Sequence, residues 1–423
     1  METSSVVKFC LYTWGANSYG QLGQGHVEDQ SLPQPAETTA FQVQSVRTLS
    51  GGGGHSVVVT GNGEVFVCGQ NNKGQLGLGH TLNVYTLELC PSLRQKITNV
   101  SCGWDFTLLL SGKFNTGQLL ACGSNTFGQL GIGETVQHSS NWLIVQSIKE
   151  RIVSAAAGLR HSLAVTGSGS VYQWGTGLCS HAKRVFTVSA VPSHFSSKLP
   201  CLVPGKECQH CQLVLYQSKK NVVTYLGLAE KNPCMVAAGM VHCLYLTEDG
   251  ELFMWGSNKH GQLTSSDPFV SSPISLKRCL LGGEKITSVW SGWTHNVAQT
   301  ESGRVFTWGR GIYGQLGHTV SANQNSKLLS HDPMAEGGSQ EACLPAEVKV
   351  LRGATQIACG SEHNLAIVGS SLFSWGWNEH GMCGDGSHTD ALKPCLIPGL
   401  HPLLIGCGAG HSLALCTATT PSQ

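Results

Sequence analysis

Seven times along the chain an aromatic residue or a cysteine is followed by glycine and a polar turn, and in most copies the turn runs into Gly-Gln-Leu-Gly. The units read WGANSYGQLGQG from Trp14, CGQNNKGQLGLG from Cys68 and CGSNTFGQLGIG from Cys122. They return as WGSNKHGQLTSS from Trp255, WGRGIYGQLGHT from Trp308 and WGWNEHGMCGDG from Trp375, with a degenerate WGTGLCSHA from Trp174. Successive starts lie 54, 54, 52, 81, 53 and 67 residues apart. Such a repeat restricts the fold severely, because a unit this small cannot bury its apolar surface without a neighbour.

A second element recurs between these tails: Gly-x-x-His ahead of a short apolar strand. These heads read GGGHSVVVT from Gly52, GLRHSLAVT from Gly158, GMVHCLYLT from Gly239, GWTHNVAQT from Gly292, GSEHNLAIV from Gly360 and GAGHSLALC from Gly408. A seventh, GWDFTLLL from Gly103, has Phe106 in place of histidine. Gly61-Asn62-Gly63, Glu248-Asp249-Gly250 and Glu301-Ser302-Gly303 join heads to tails with the residues that tight hairpins demand. Each unit is therefore a small antiparallel sheet, and stacking the sheets radially gives an all-β propeller. The chain opens with a tail at Trp14 that has no head and ends with a head at His411 that has no tail. Joining the two ends completes a seventh blade, so the expectation is one closed seven-bladed β-propeller over residues 1–416. Long spacings place insertions near 179–226 and 318–348, the second read as a mobile loop, and residues 417–423 are read as a frayed tail.

Composition agrees. Only 12% of residues are charged, about half the usual share, whereas 53 are glycine. The net charge of +1 supplies no broad field for DNA or RNA, so no nucleic-acid partner is expected. No apolar run is long enough to span a membrane, and the N-terminus lacks a secretory pattern. The 18 cysteines are accordingly read as free thiols in a reducing compartment, with Cys68, Cys122 and Cys359 as small core side chains. Cys208-Gln209-His210-Cys211, with Cys179 and His181 upstream, has metal-ligand spacing. One such motif does not make a tetrahedral site, so these are read as surface thiols and no metal or cofactor is expected.

A residue present in every unit serves the unit, whereas one peculiar to a single unit is free to serve a partner. By this test the head histidines are structural, with a ring nitrogen expected to bond backbone in their own loop. The Gly51–Gly54 run is read as a head loop rather than a phosphate cradle, since no P-loop lysine follows. The positions just ahead of the histidines vary, and equivalent propeller loops share one face. That face is expected to display Trp104, Asp105, Arg160, Trp293 and Glu362 together. Aromatics and arginine suit a protein interface. The alternatives are blade packing for the tryptophans and a solvated rim for the charges. No Ser-His-Asp arrangement emerges, since adjacent strand residues point to opposite faces.

The paired motifs resemble the regulator of chromosome condensation repeat family, over nearly the whole chain. The strings WGANSYGQLG, CGWDFT, WSGWTH and SWGWNEHGMCGDG are similar to a branch of that family acting in secretion. The resemblance implies a seven-bladed propeller and a guanine nucleotide exchange factor for a small GTPase, with an exocyst subunit among its partners. It also implies that the family founder, which binds the Ran GTPase, uses an acid just before its third head histidine and the histidine of its fifth head. The fifth head here keeps His295, but Arg160 stands at the acidic position. The founder's basic N-terminal arm is missing, so chromatin binding is not carried over. The expectation is a monomeric exchange factor without covalent chemistry, cytoplasmic with nuclear access left open. The alternative is a non-catalytic scaffold for a secretory-complex subunit.

Overall fold

A computed structural model of the protein describes residues 8–39, 42–91, 93, 95–112, 117–133, 136–175, 186–187, 223–227, 232–319 and 341–418. Seven antiparallel sheets ring a common axis, and the first strands of successive sheets pack on one another around it. Blade 1 runs outward through Val46–Gly51, His55–Thr60, Val65–Gly69 and Val84–Leu89. Blades 2 to 6 start at Ile97, Ile152, Pro233, Ile286 and Ala354. Blade 7 takes its inner strands, His401–Cys407 and His411–Ala418, from the end of the chain, and its outer strands, Lys8–Gly15 and Gln30–Pro35, from the beginning. Gly15 pairs with His411 and Trp14 with Ser412, so the two unmatched half-units close the ring as their order required. The last strand includes Thr417 and Ala418, paired with Phe9 and Lys8, which extends the expected boundary by two residues.

The second strand of each blade is buried almost throughout because both of its faces are covered. Val57 and Val59 pack toward blade 2 with Val100 and Leu109, while Val58 between them packs toward blade 7 with Leu413 and Leu415. Outer strands carry exposed residues and, in four blades, prolines (Pro33, Pro273, Pro345 and Pro394) that blunt a free sheet edge. Both expected insertions end in the outer strand of their blade, Val223–Gly227 in blade 3 and Glu341–Glu347 in blade 5. Blade 3 has a fifth, two-residue strand, Phe186–Thr187, parallel to Val223–Gly227. Cys179, His181, Cys208 and Cys211, and most of the loop read as mobile, lie outside the described residues.

In six of the seven blades the glycine after the tail tryptophan or cysteine marks a bulge. Gly69 sits at φ +103°, the register with the fourth strand shifts there, and an added Cβ would lie 2.3 Å from the Gly54 carbonyl oxygen. The tail leucines Leu22, Leu76, Leu130, Leu263 and Leu316 are buried, as a core-filling role requires.

The six head histidines each tie their blade to the next. Nε2 of His55 lies 2.8 Å from Thr107 Oγ1, that of His411 2.8 Å from Ser56 Oγ, and that of His363 3.0 Å from Ser412 Oγ. His242 and His295 reach Asn296 and Asn364 Oδ1 at 2.8 and 2.7 Å, and His161 faces Cys243 Sγ at 3.3 Å. The expected bond to backbone in the same loop is thus corrected. Each ring folds over its own head glycine, where a Cβ on Gly52 would sit 2.1 Å from His55 Cε1, and this aims Nε2 at the neighbouring blade. The residue it meets then donates to the carbonyl of the tail glutamine: Thr107 Oγ1 to Gln75 at 2.8 Å, Asn296 Nδ2 to Gln262 at 2.7 Å. Trp308 Nε1 donates to the same Gln262 carbonyl at 2.9 Å, and Cys122 Sγ to that of Gln75 at 3.3 Å. Tryptophan and cysteine alternate at one repeat position because each supplies that donor.

Candidate partner-binding face

Head and tail loops are fused on one face. The residue before each head histidine, or before Phe106, lends its carbonyl to a tail: Ser124 N donates to Asp105 at 2.9 Å, Arg310 N to Thr294 at 3.1 Å and Trp377 N to Glu362 at 2.9 Å. Toward the axis the head glycines and the ends of the first strands line a narrow channel of about 80 Å³. Small residues are required where seven strands converge: a Cβ on Gly51 would lie 2.6 Å from Gly408 Cα. Cys359, expected in the core, lines this channel, as do Cys102 and Cys407. The head backbones are linked around the channel, for instance Gly53 N to Trp104 O at 2.9 Å, Trp293 N to Ser361 O at 2.8 Å and Ala409 N to Gly52 O at 2.9 Å.

Trp104 of blade 2 and Trp293 of blade 5 come from opposite sides of the axis and meet, with ring centroids 5.4 Å apart at 51°. Trp104 is 40% exposed and Trp293 is half-buried. Gly53 makes room for this pair, since a Cβ there would lie 2.7 Å from Trp104 Cδ2. The glycine run is thereby explained residue by residue: Gly52 clears His55, Gly53 clears Trp104 and Gly54 clears Tyr19.

Asp105 is half-buried beside Trp104, and its Oδ1 is buried without a hydrogen-bond partner among the described residues. Burial pushes its carboxyl above the ordinary value, against the opposing pull of Ser124 and Arg160. Arg160 is exposed, with its guanidinium 4.4 Å from the Phe127 ring centroid. Four of the six residues singled out in the sequence, Trp104, Asp105, Arg160 and Trp293, thus reach the face. The other two do not. His295 is fully buried in the blade-to-blade belt, and Glu362 is only 6% exposed. Glu362 accepts from Thr294 Oγ1 at 2.8 Å and from Gln315 Nε2 at 2.7 Å, so the expected display of this carboxylate is corrected. Asp105 and Glu362 hold equivalent repeat positions, but only the longer side chain meets a donor on the preceding tail.

The tails contribute a collar that the sequence reading overlooked. Tyr19, Phe127 and Tyr313 hold one position in their units, the residue before the tail glycine, and Trp377 follows the glycine of its bulge. Tyr313 and Trp377 lie 6.3 Å apart, His380 meets Trp377 edge-on at 5.8 Å, and the Arg310 guanidinium lies 5.1 Å from the Tyr313 centroid. The signal was present, since this position varies while its neighbours repeat.

Known proteins share this architecture. Two relatives called secretion-regulating guanine nucleotide exchange factor, from Bos taurus and Mus musculus, are 47% and 45% identical over 96% of this chain and 83% of their own length. Among solved structures, Prp20p of Saccharomyces cerevisiae superposes with a TM-score of 0.77 at 22% identity, covering 99% of this chain and 93% of that one. Human WBSCR16 does so with a TM-score of 0.74 at 23% identity, covering 98% and 100%. Residues 10–414 match the family described as the RCC1-like domain, and with that match spanning the entire ring, the chain belongs to this family.

Proposed function

We propose that the protein is a guanine nucleotide exchange factor for a small GTPase in secretion, docking its GTPase on the face that holds Trp104 and Trp293. The observation that carries this reading is 45–47% identity, over 96% of the chain, to two proteins named for that activity. The geometry supports the choice of face. A pair of tryptophans at the centre of a ring of loops, with arginines beside it, has the composition of an interface anchor. The channel beneath is too small for a protein segment of any bulk, so docking takes place on the rim.

An exchange factor performs no covalent step. It binds the nucleotide-free GTPase more tightly than the loaded one, and by linkage the nucleotide is then held more weakly in the complex. A broad aromatic face is suited to this, because it can hold the switch segments away from the nucleotide and its Mg²⁺. The test is release of fluorescent GDP from a panel of purified small GTPases at micromolar propeller. Acceleration for at least one supports the reading, and none across the panel defeats it.

A second reading is favoured by one observation: His295 and Glu362 are both buried, so the face does not offer them to a partner. On this reading the same surface is a scaffold for a secretory-complex subunit such as an exocyst component, and nucleotide has no effect on binding. Capture of a purified subunit, undiminished by excess GDP or GTP and without accelerated GDP release, would select it. In either case we place a monomer in the cytoplasm, with the nucleus left open.

A further inference from the structure

We infer that this face recognises an acidic surface of its partner through two guanidinium groups, those of Arg160 and Arg310, which aromatic rings hold ready beside the tryptophan pair. The partner class comes from the exchange-factor reading; the acidic chemistry comes from the two arginines themselves.

The two are placed alike by different blades. Arg160 belongs to the blade 3 head, whose Leu159 carbonyl accepts from Trp104 N at 3.4 Å, and its guanidinium lies 4.4 Å from the Phe127 centroid. Arg310 ends the third strand of blade 5, with its amide bonded to the residue after Trp293 and its guanidinium 5.1 Å from the Tyr313 centroid. One arginine therefore stands next to each tryptophan. Stacking on a ring restrains a long side chain before any partner arrives, so less freedom is lost on binding.

Neither fork is consumed within the described residues. Arg160 forms no ion pair there; Asp105 acts on it only from beyond contact range. Arg310 has one acidic neighbour, Glu362, at 3.8 Å, outside hydrogen-bond range. The Glu362 oxygens already accept from Thr294 and Gln315. The buried carboxylate thus anchors the charge of Arg310 electrostatically at 3.8 Å without taking a hydrogen bond from it. A planar fork of this kind matches a carboxylate in bidentate fashion. The apolar tryptophan pair between the two forks fits a protein surface better than a free phosphate. Backbone amides that could cradle a phosphate at the channel mouth, those of Gly53, Trp104, Met240, Trp293, Ser361 and Ala409, are spent on the ring of head-to-head bonds.

The test uses the full chain and no nucleotide, so it stands or falls apart from the GDP-release panel. Fluorescein-labelled hexaglutamate is titrated at low and moderate salt, with hexalysine and inositol hexakisphosphate as comparators. The expected result is binding of hexaglutamate in preference to both, weakened about tenfold in Arg160→Ala/Arg310→Ala. Phe127→Leu should weaken it about threefold at unchanged net charge, and Arg160→Lys/Arg310→Lys should fall between wild type and the alanine pair. Arg160 is exposed and Arg310 keeps 27% of its side chain exposed, and an unchanged thermal midpoint verifies the fold of each variant. Equal binding by wild type and the alanine pair, or a preference for hexalysine, overturns the inference. Preference for inositol hexakisphosphate also overturns it, by making the forks a phosphate site.

Discussion

Lowering the pH from 7.5 to 5 should unfold this ring through its belt of head histidines. His55, His161, His363 and His411 are fully buried, and burial pushes each down to about 3; His242 is pushed down to about 4. An unfolded histidine titrates near 6.5. Below that value the unfolded chain takes up protons that the folded chain refuses, so stability present at neutral pH is lost as the pH falls. At pH 5 the unfolded state gains about 2 kcal/mol per histidine, or roughly 10 kcal/mol for the five, against a total of about 5–15 kcal/mol for a typical domain. Any folded-state value of 4 or less gives the same figure at pH 5. The carboxylates stay out of this window, since Glu150, Glu284 and Glu347 have lowered values and give up their contributions only below about 4.5. Asp105, raised by burial, acts in the opposite sense and adds stability as the pH falls. Urea denaturation followed by tryptophan fluorescence at pH 7.5, 6.5, 6.0, 5.5 and 5.0 reads the effect, with a slope approaching about 7 kcal/mol per pH unit at the acid end. His161→Phe supplies the control. Phe106 already fills the same position in blade 2, and His161 makes the weakest contact of the belt, to Cys243 Sγ. The variant should lose about one fifth of the slope. A stability that is flat between pH 7.5 and 5, or a slope unchanged in His161→Phe, would refute the reasoning.

Trp104→Ala/Trp293→Ala should weaken GTPase or scaffold-partner binding by about 2 kcal/mol or more with the thermal midpoint nearly preserved, as titration calorimetry would report. Gly53→Ala should weaken the same binding without altering either tryptophan, because the new methyl drives into the Trp104 ring; tryptophan emission should shift with it. Trp308→Phe keeps a buried ring but removes the Nε1 bond to the Gln262 carbonyl, and should cost about 1–2 kcal/mol in urea denaturation. Glu362→Gln turns an amide donor toward Thr294 or Gln315, and should cost about 1–3 kcal/mol in the same assay while leaving Trp104 and Trp293 unmoved.

The order of the half-motifs, a tail at Trp14 without a head and a head at His411 without a tail, was enough to determine a closed seven-bladed ring. So were the hairpin at Gly61-Asn62-Gly63 and the burial of the tail leucines. Contacts within a unit, or from a unit to the next, are made seven times over, and repetition writes them into the sequence as motifs. The belt was half legible on the same ground: the histidines recur, but their partners are Thr107, Asn296, Cys243 and others, which differ too much to read as one position. What only the tertiary structure decided is the makeup of the face. Trp104 and Trp293 touch across the axis, and a contact made once between distant blades leaves no period to find. Asp105 and Glu362 share a repeat position yet differ in exposure, because burial there depends on a neighbouring tail: Gln315 reaches the longer carboxylate, and among the described residues no donor bonds Asp105 Oδ1. Arg310 and Tyr313 became partners only through the fold, which bonds the Arg310 amide to the Thr294 carbonyl and sets its guanidinium 5.1 Å from the Tyr313 ring. Closure is a property of the repeated unit, whereas recognition is a property of where the units differ, and those differences acquire neighbours only once the ring has formed.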